Sequence, residues 1–196
     1  MGLQMISNVI EHPNFINSAD LDFINDSVLS DRFPWYWAER QTTPGFPFLG
    51  HTLLSRDDDI HTSDSDVFDF FKGLLDSFCE RHEFKINELL RGSLNLTYSF
   101  DAIHGDPHVD YRFDYSQCIM YLNTCDAGET IIFDEEYGEN EYMEDIYEVG
   151  SDKKFTEILR IKPEVGKIIH FSGKNYHTHR WCRQGQRRVI CVFAFI

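Results

Sequence analysis

The sequence predicts an α+β fold in which two N-terminal helices pack on one sheet of a double-stranded β-helix, or jelly roll. Three observations predict it. Apolar residues recur at helical spacing in two stretches before residue 85, the period drops to two from Ile86 onward, and six strand-like runs then follow one another between turns. A double sheet of this kind holds a cavity whose mouth lies between its two faces.

The first helix is predicted over 18–30. Ser18 is an N-cap residue, Asp20 and Asp22 fill the first turn, and Leu21, Ile24, Val28 and Leu29 share one face. Phe33-Pro34-Trp35-Tyr36-Trp37-Ala38 follows and reads as core filling, because aromatic rings bury so much area. Residues 42–64 carry Pro44, Gly45, Pro47, Gly50 and Asp57-Asp58-Asp59, which break any periodicity and predict a loop or flap. His51 and His61, inside it, read as surface or satisfied histidines. The second helix is predicted over 65–82, with Val67, Phe70, Phe71, Leu74, Leu75 and Phe78 forming its apolar face. Strands are predicted over 90–98, 117–123, 129–133, 155–161, 166–171 and 188–196.

A chain of 196 residues with 42% hydrophobic and 15% aromatic content makes one folded domain, 1–196, helical over about 1–85 and jelly roll over about 86–196. The longest apolar run, 190–196, falls far short of a membrane span. The start lacks a basic region followed by an apolar stretch and has Ile6 where a myristoylation signal needs Ser or Thr. A soluble, cytoplasmic protein is the expectation. The five cysteines form no Cys-x-x-Cys pair, which predicts free thiols. The net charge of −15 argues against nucleic acid as a partner, since affinity for phosphate backbones comes from Lys and Arg. Residues 134–152 hold nine acids and no Lys or Arg; they read as a solvated loop, or as a screen that favours a basic substrate.

The central stretch is His108-Val109-Asp110. An imidazole and a carboxylate two residues apart point the same way on an extended backbone and can grip one ion from one side. Downstream, Asn175-Tyr176-His177 brings a further imidazole, and ten residues later comes Arg187 in Gly185-Gln186-Arg187-Arg188. Two histidines and one carboxylate form a facial triad that leaves positions open on Fe(II). A nearby guanidinium suits the far carboxylate of a chelating keto acid. Spare donors exist. His104 and Asp106 form a second His-x-Asp, and His179 lies two residues past His177. His108 is preferred because Val109 is apolar and a Tyr-containing strand begins after it, and His177 because of its spacing to Arg187. His170 falls inside a buried strand and reads as a core histidine.

These residues carry a resemblance. His-x-Asp at 108–110, Ala-Gly-Glu-Thr at 127–130, Pro-x-x-Gly at 163–166, then His177 and Gly-x-Arg at 185–187, follow an order that resembles the 2-oxoglutarate- and Fe(II)-dependent dioxygenases, in particular the prolyl-4-hydroxylase-like branch. Residues 33–36 and 91–96 are similar to a group of small oxygenases of viral and marine bacterial genomes. The resemblance implies that His108, Asp110 and His177 bind Fe(II). It implies that Arg187, or Arg188 if the strand register favours it, binds the 5-carboxylate of 2-oxoglutarate, with Tyr98 as a helping hydroxyl. It further implies consumption of O2, with ascorbate as reductant, and hydroxylation of a C–H bond in a protein substrate, peptidyl proline among them, or in a small molecule. The chain departs from the family in having Ala127-Gly128 where Gly-Gly is usual, and in lacking Pro-Val before Gly-x-Arg. The competing readings are a nucleobase oxygenase, a cupin-like binding module without catalysis, and a zinc hydrolase, for which no general base stands out.

Overall fold

The computed structural model describes residues 9–38, 46–55, 65–100, 103–138 and 154–196. Its elements run β1 (Ile10–His12), α1 (Ser18–Asp26), β2 (Tyr36–Ala38), β3 (Phe48–Leu54), α2 (Phe68–Arg81), β4 (Leu89–Thr97), β5 (Ser116–Tyr121), β6 (Thr130–Glu136), β7 (Glu157–Ile161), β8 (Ile168–Ser172), β9 (Asn175–His179) and β10 (Arg188–Phe195). The described strands form two sheets. The larger has the order β1-β8-β5-β10-β4-β3-β2 and the smaller β7-β6-β9, with antiparallel pairing throughout.

β10 is the centre of the larger sheet, paired with β4 and β5, and all eight of its residues are buried. Its sequence is apolar without alternation because both faces are covered. Val189, Cys191, Phe193 and Phe195 face outward and join Ile24, Val28, Phe71, Leu75 and Phe78 of the helical layer in one core. Ile190 and Val192 face inward and meet Ile132 of β6 and Ile161 of β7 across the gap between the sheets. The two helices therefore cover the outer face of the larger sheet, and the cavity lies on its inner face.

The structure differs from expectation at several elements. Asn17, not Ser18, caps α1, its Oδ1 accepting the N–H of Asp20 at 3.1 Å. Part of the expected loop is β3, whose Gly50 and Pro-rich approach hid a strand that pairs with β4. The strands β1, β2 and β3 all precede residue 86 and complete the larger sheet. Tyr36 and Trp37, expected in the core, are each 64% exposed on the edge strand β2. His61, with the rest of 56–64, and the acidic residues of 139–152 lie outside the described residues. Among the described residues no helix is long and apolar enough to cross a membrane.

Candidate functional site

A cavity of about 670 Å³ opens between the sheets, and His108, Asp110 and His177 all line it. Its size suits a small-molecule site. β9 places His177 on the inner face, opposite Ile132 of β6. The segment before Asp110 is stitched to the other edge of β9 as an isolated bridge. The backbones of His108 and His177 exchange both hydrogen bonds, each 2.9 Å. Directly opposed residues in an antiparallel ladder present their side chains to the same face, and here the two imidazole rings are 4.6 Å apart between centroids.

Each ring is oriented by the backbone. His108 Nδ1 donates to the carbonyl of Asp106 at 3.0 Å and His177 Nδ1 to that of Asn175 at 3.2 Å. A carbonyl oxygen only accepts, so both Nδ1 atoms carry the proton and both Nε2 atoms keep a lone pair. His177 is 6% exposed, and burial, reinforced by the neighbouring His108, lowers its pKa to about 3. It is therefore neutral at pH 7, the form a metal ligand requires.

Asp110 is held on three sides. Its Oδ1 accepts from Arg91 at 2.9 Å, its Oδ2 from Gln117 at 3.0 Å, and its backbone N–H donates to the Tyr115 hydroxyl at 2.9 Å. Among the described residues no three His, Cys, Asp or Glu side chains are gathered closely enough to hold an ion as they stand. The carboxylate is engaged by Arg91 and Gln117. Each carboxylate oxygen has a second lone pair, so an ion can be accepted beside those bonds. Two Nε2 lone pairs and a carboxylate in one cavity are a donor set that fits Fe(II).

The register of β10 decides between the two arginines. The Asn123 side chain donates to the carbonyl of Arg187 at 2.8 Å and accepts the N–H of Val189 at 2.7 Å, which fixes the backbone around residue 188. Arg188 points inward with Ile190 and Val192 and is 3% exposed. Arg187 is exposed and donates to the carbonyl of Leu29 at 3.3 Å, away from the cavity. The guanidinium of Arg188 donates to Thr130 Oγ1 at 2.9 Å and lies 5.6 Å from the centroid of Tyr121, whose hydroxyl is 2.6 Å from the same Thr130 oxygen. Arg188 Nε and Thr97 Oγ1 are buried with no hydrogen-bond partner among the described residues. Buried unpaired donors around a cation are costly unless an anion completes them. A carboxylate fits there.

Tyr98 lies beyond the end of β4 and is 38% exposed, on the opposite parity from Ser93, Asn95 and Thr97, which line the cavity. It does not line the cavity, whereas the hydroxyl-bearing Thr97 and Thr130 do. His104 and Asp106 are exposed and do not line the cavity. His179 does, opposite Thr130, and its buried Nε2 has no partner among the described residues. His51 is satisfied, bonded to the Pro34 carbonyl and to Ser65. His170 packs on Phe84 on the helical side of the sheet, 4.0 Å between ring centroids. Sequence reasoning passed over Arg91, Gln117, Thr130 and Tyr121. Their inward parity on β4, β5 and β6 was the available signal.

No family model and no curated protein matches the chain. Solved structures do. The non-heme alpha-ketoglutarate-dependent epimerase SnoN from nogalamycin biosynthesis is 8% identical with a TM-score of 0.67, over 97% of this chain and 78% of that one. A 2OG-Fe(II) oxygenase family oxidoreductase from Burkholderia pseudomallei is 14% identical with a TM-score of 0.64, over 95% and 85%. A prolyl hydroxylase from Trichoplax adhaerens, in complex with a hypoxia inducible factor peptide, is 12% identical with a TM-score of 0.63, over 98% and 86%. The fold is that of the 2-oxoglutarate- and Fe(II)-dependent oxygenases.

Proposed function

We propose that this chain is a 2-oxoglutarate- and Fe(II)-dependent dioxygenase that hydroxylates a C–H bond. One observation carries the reading. The buried Arg188, with an unpaired Nε, lines the same cavity as two imidazoles whose Nδ1 atoms donate to backbone carbonyls, which leaves each Nε2 in its lone-pair form. A binding module without catalysis has no use for both.

His108, Asp110 and His177 hold the iron, and Arg188 with Thr130 receives the 5-carboxylate of the cosubstrate. When bound, iron and cosubstrate supply activation of O2, with conversion of 2-oxoglutarate to succinate and CO2 and transfer of one oxygen atom to the substrate. The chain supplies orientation. The two Nδ1–H bonds prevent the imidazoles from turning away, and Arg91 and Gln117 hold the Asp110 side chain toward them. Thr130 fixes the guanidinium of Arg188, so that its charge meets a carboxylate at a set depth. Ile119, Ile190 and Val192 give one wall of the cavity an apolar surface. Tyr36, Trp37, Phe48 and His51 line the same cavity from the edge of the larger sheet, and the substrate enters past them. That substrate is a protein segment, prolyl residues included, or a small molecule.

The test is anaerobic addition of 2-oxoglutarate to the Fe(II)-loaded protein. A visible metal-to-ligand absorption band that saturates in the wild type and is absent in His177→Ala is the expected result. No band in the wild type would sink the assignment.

A further inference from the structure

Two of the five cysteines stand apart from the rest. Cys79, Cys118 and Cys191 are buried in the core under the helices, where burial raises their thiol pKa values, that of Cys79 to about 11. Such thiols are inert. Cys125 and Cys182 lie instead at the end of the sheets nearest Arg188. Their sulfurs are 3.6 Å apart, and Cys125 is only half-buried.

The segments that carry them are locked side by side. Ala127 and Cys182 form an antiparallel bridge, and the Arg183 N–H donates to the Asp126 carbonyl at 3.3 Å. Both sulfurs also converge on Arg188. A methyl group built on Gly128 would sit 2.9 Å from Cys125 Sγ, 3.2 Å from Cys182 Sγ and 3.3 Å from Arg188 Cδ. The dithiol and the arginine stem thus meet at one point, and the φ of +80° at Gly128 lets the backbone pass beneath them.

We propose that Cys125 and Cys182 are a redox-modification site, joined as a disulfide by hydrogen peroxide, and that closing it weakens cosubstrate binding by moving Arg188. The effect on binding rests on the cosubstrate role proposed above for Arg188; the disulfide itself does not. A bonded pair has its sulfurs about 2.05 Å apart, so closure draws them together by about 1.5 Å. The stem of Arg188 borders the same space above Gly128, so a shift of the two sulfurs changes the room it has.

The chemistry balances with peroxide as the oxidant. The Cys182 thiolate attacks one peroxide oxygen, the O–O bond breaks, and the departing hydroxide takes a proton to leave as water. The resulting sulfenic sulfur is attacked by Cys125. The S–O bond breaks, an S–S bond forms, and the Cys125 proton leaves with the hydroxyl as a second water. Two thiols lose two electrons and two protons, and one peroxide becomes two waters. The Cys125 thiol donates to the Ala127 carbonyl and stays protonated, while the positive charge of Arg188 favours the Cys182 thiolate, which makes Cys182 the attacking sulfur.

The test uses the full chain, reduced, then treated with hydrogen peroxide, alkylated and examined by intact mass and peptide mapping. A loss of two hydrogens and one Cys125–Cys182 linkage are expected, with the three core cysteines alkylated only after unfolding and no linkage in Cys125→Ser. In parallel, 2-oxoglutarate is titrated with Mn(II) in place of Fe(II), which binds without turnover. About tenfold weaker binding after oxidation, restored by dithiothreitol and absent in Cys125→Ser, is the expected coupling. Sulfinic products without a linkage would overturn the site, and a linkage with unchanged affinity would overturn its effect on Arg188. If the reduced protein binds no 2-oxoglutarate, the proposed function and the coupling fall together, while the mass measurement still decides the disulfide.

Discussion

The Tyr115 hydroxyl accepts the backbone N–H of Asp110 at 2.9 Å, tying a core aromatic to a residue of the candidate metal site. The ring is set by Gly173, where a methyl group would lie 2.2 Å from it. Burial, with the Asp110 charge beside it, raises the Tyr115 pKa, so the hydroxyl stays neutral. Tyr115→Phe leaves the Asp110 N–H unpaired at a cost of about 1–3 kcal/mol. Gly173→Ala pushes the ring away. Both variants are expected to bind Mn(II) about 10–100-fold more weakly than wild type, read by metal titration. Unchanged affinity in both would show that Tyr115 does not position the site.

The two arginines separate by burial. Arg188→Met is expected to raise the dissociation constant for 2-oxoglutarate by about 100-fold, as fits the loss of a buried charged partner. Arg187→Met is expected to leave it within about twofold, because that side chain is exposed and screened. A calorimetric titration of each variant distinguishes them, and the opposite ranking would move the cosubstrate to another wall of the cavity.

His170 makes stability depend on pH. Burial lowers its pKa to about 4, below the unfolded value near 6.5, and both ring nitrogens lack partners among the described residues. Between those values the unfolded chain binds the extra proton, so stability is full above pH 6.5 and falls as pH drops toward 4. At about 1.4 kcal/mol per unit the loss approaches roughly 3 kcal/mol. His170→Leu removes two unpaired polar atoms and is expected to flatten this slope in denaturant unfolding at pH 4.5 and pH 7. Equal slopes for variant and wild type would place the pH dependence elsewhere.

Ala127 has a φ of +65°, a left-handed conformation that costs an L side chain about 1–2 kcal/mol. Ala127→Gly relieves the strain but adds about 0.5–1 kcal/mol of unfolded-chain entropy, so a small net gain, under about 1 kcal/mol, is expected in thermal unfolding. A clear loss would mean that the Ala127 methyl contributes packing that outweighs its strain.

Much of this arrangement was readable from the chain. His108 and Asp110 stand out because an extended segment puts alternate side chains on one face, and His177 for its spacing to Arg187; the structure brings all three to one cavity. The helices and the later strands followed from their periodicity, except β9, whose run of Asn, Tyr, His and Thr has no apolar alternation. The choice between Arg187 and Arg188 was not readable. It turns on a one-residue register, set by an Asn123 side chain 64 positions away in sequence. Tyr98 turns on register too, since β4 ends one residue earlier and residue 98 has the parity opposite to that of the cavity-lining Thr97. β3 was hidden by Gly50 and Pro47, and β2 by aromatics that resemble core but line the cavity from an edge. Parity could place Arg91 and Gln117 on the inner face, but their role was not readable, because it is defined by a contact with Asp110 that only the folded chain creates.

The most direct measurement of the central claim is succinate formation from 2-oxoglutarate with Fe(II) and ascorbate under air, without a primary substrate, in wild type, His177→Ala and Arg188→Met. Slow uncoupled turnover in the wild type, abolished in His177→Ala and recovered in Arg188→Met only at much higher 2-oxoglutarate, is the predicted result. No succinate from the wild type, or equal turnover in all three, would contradict it.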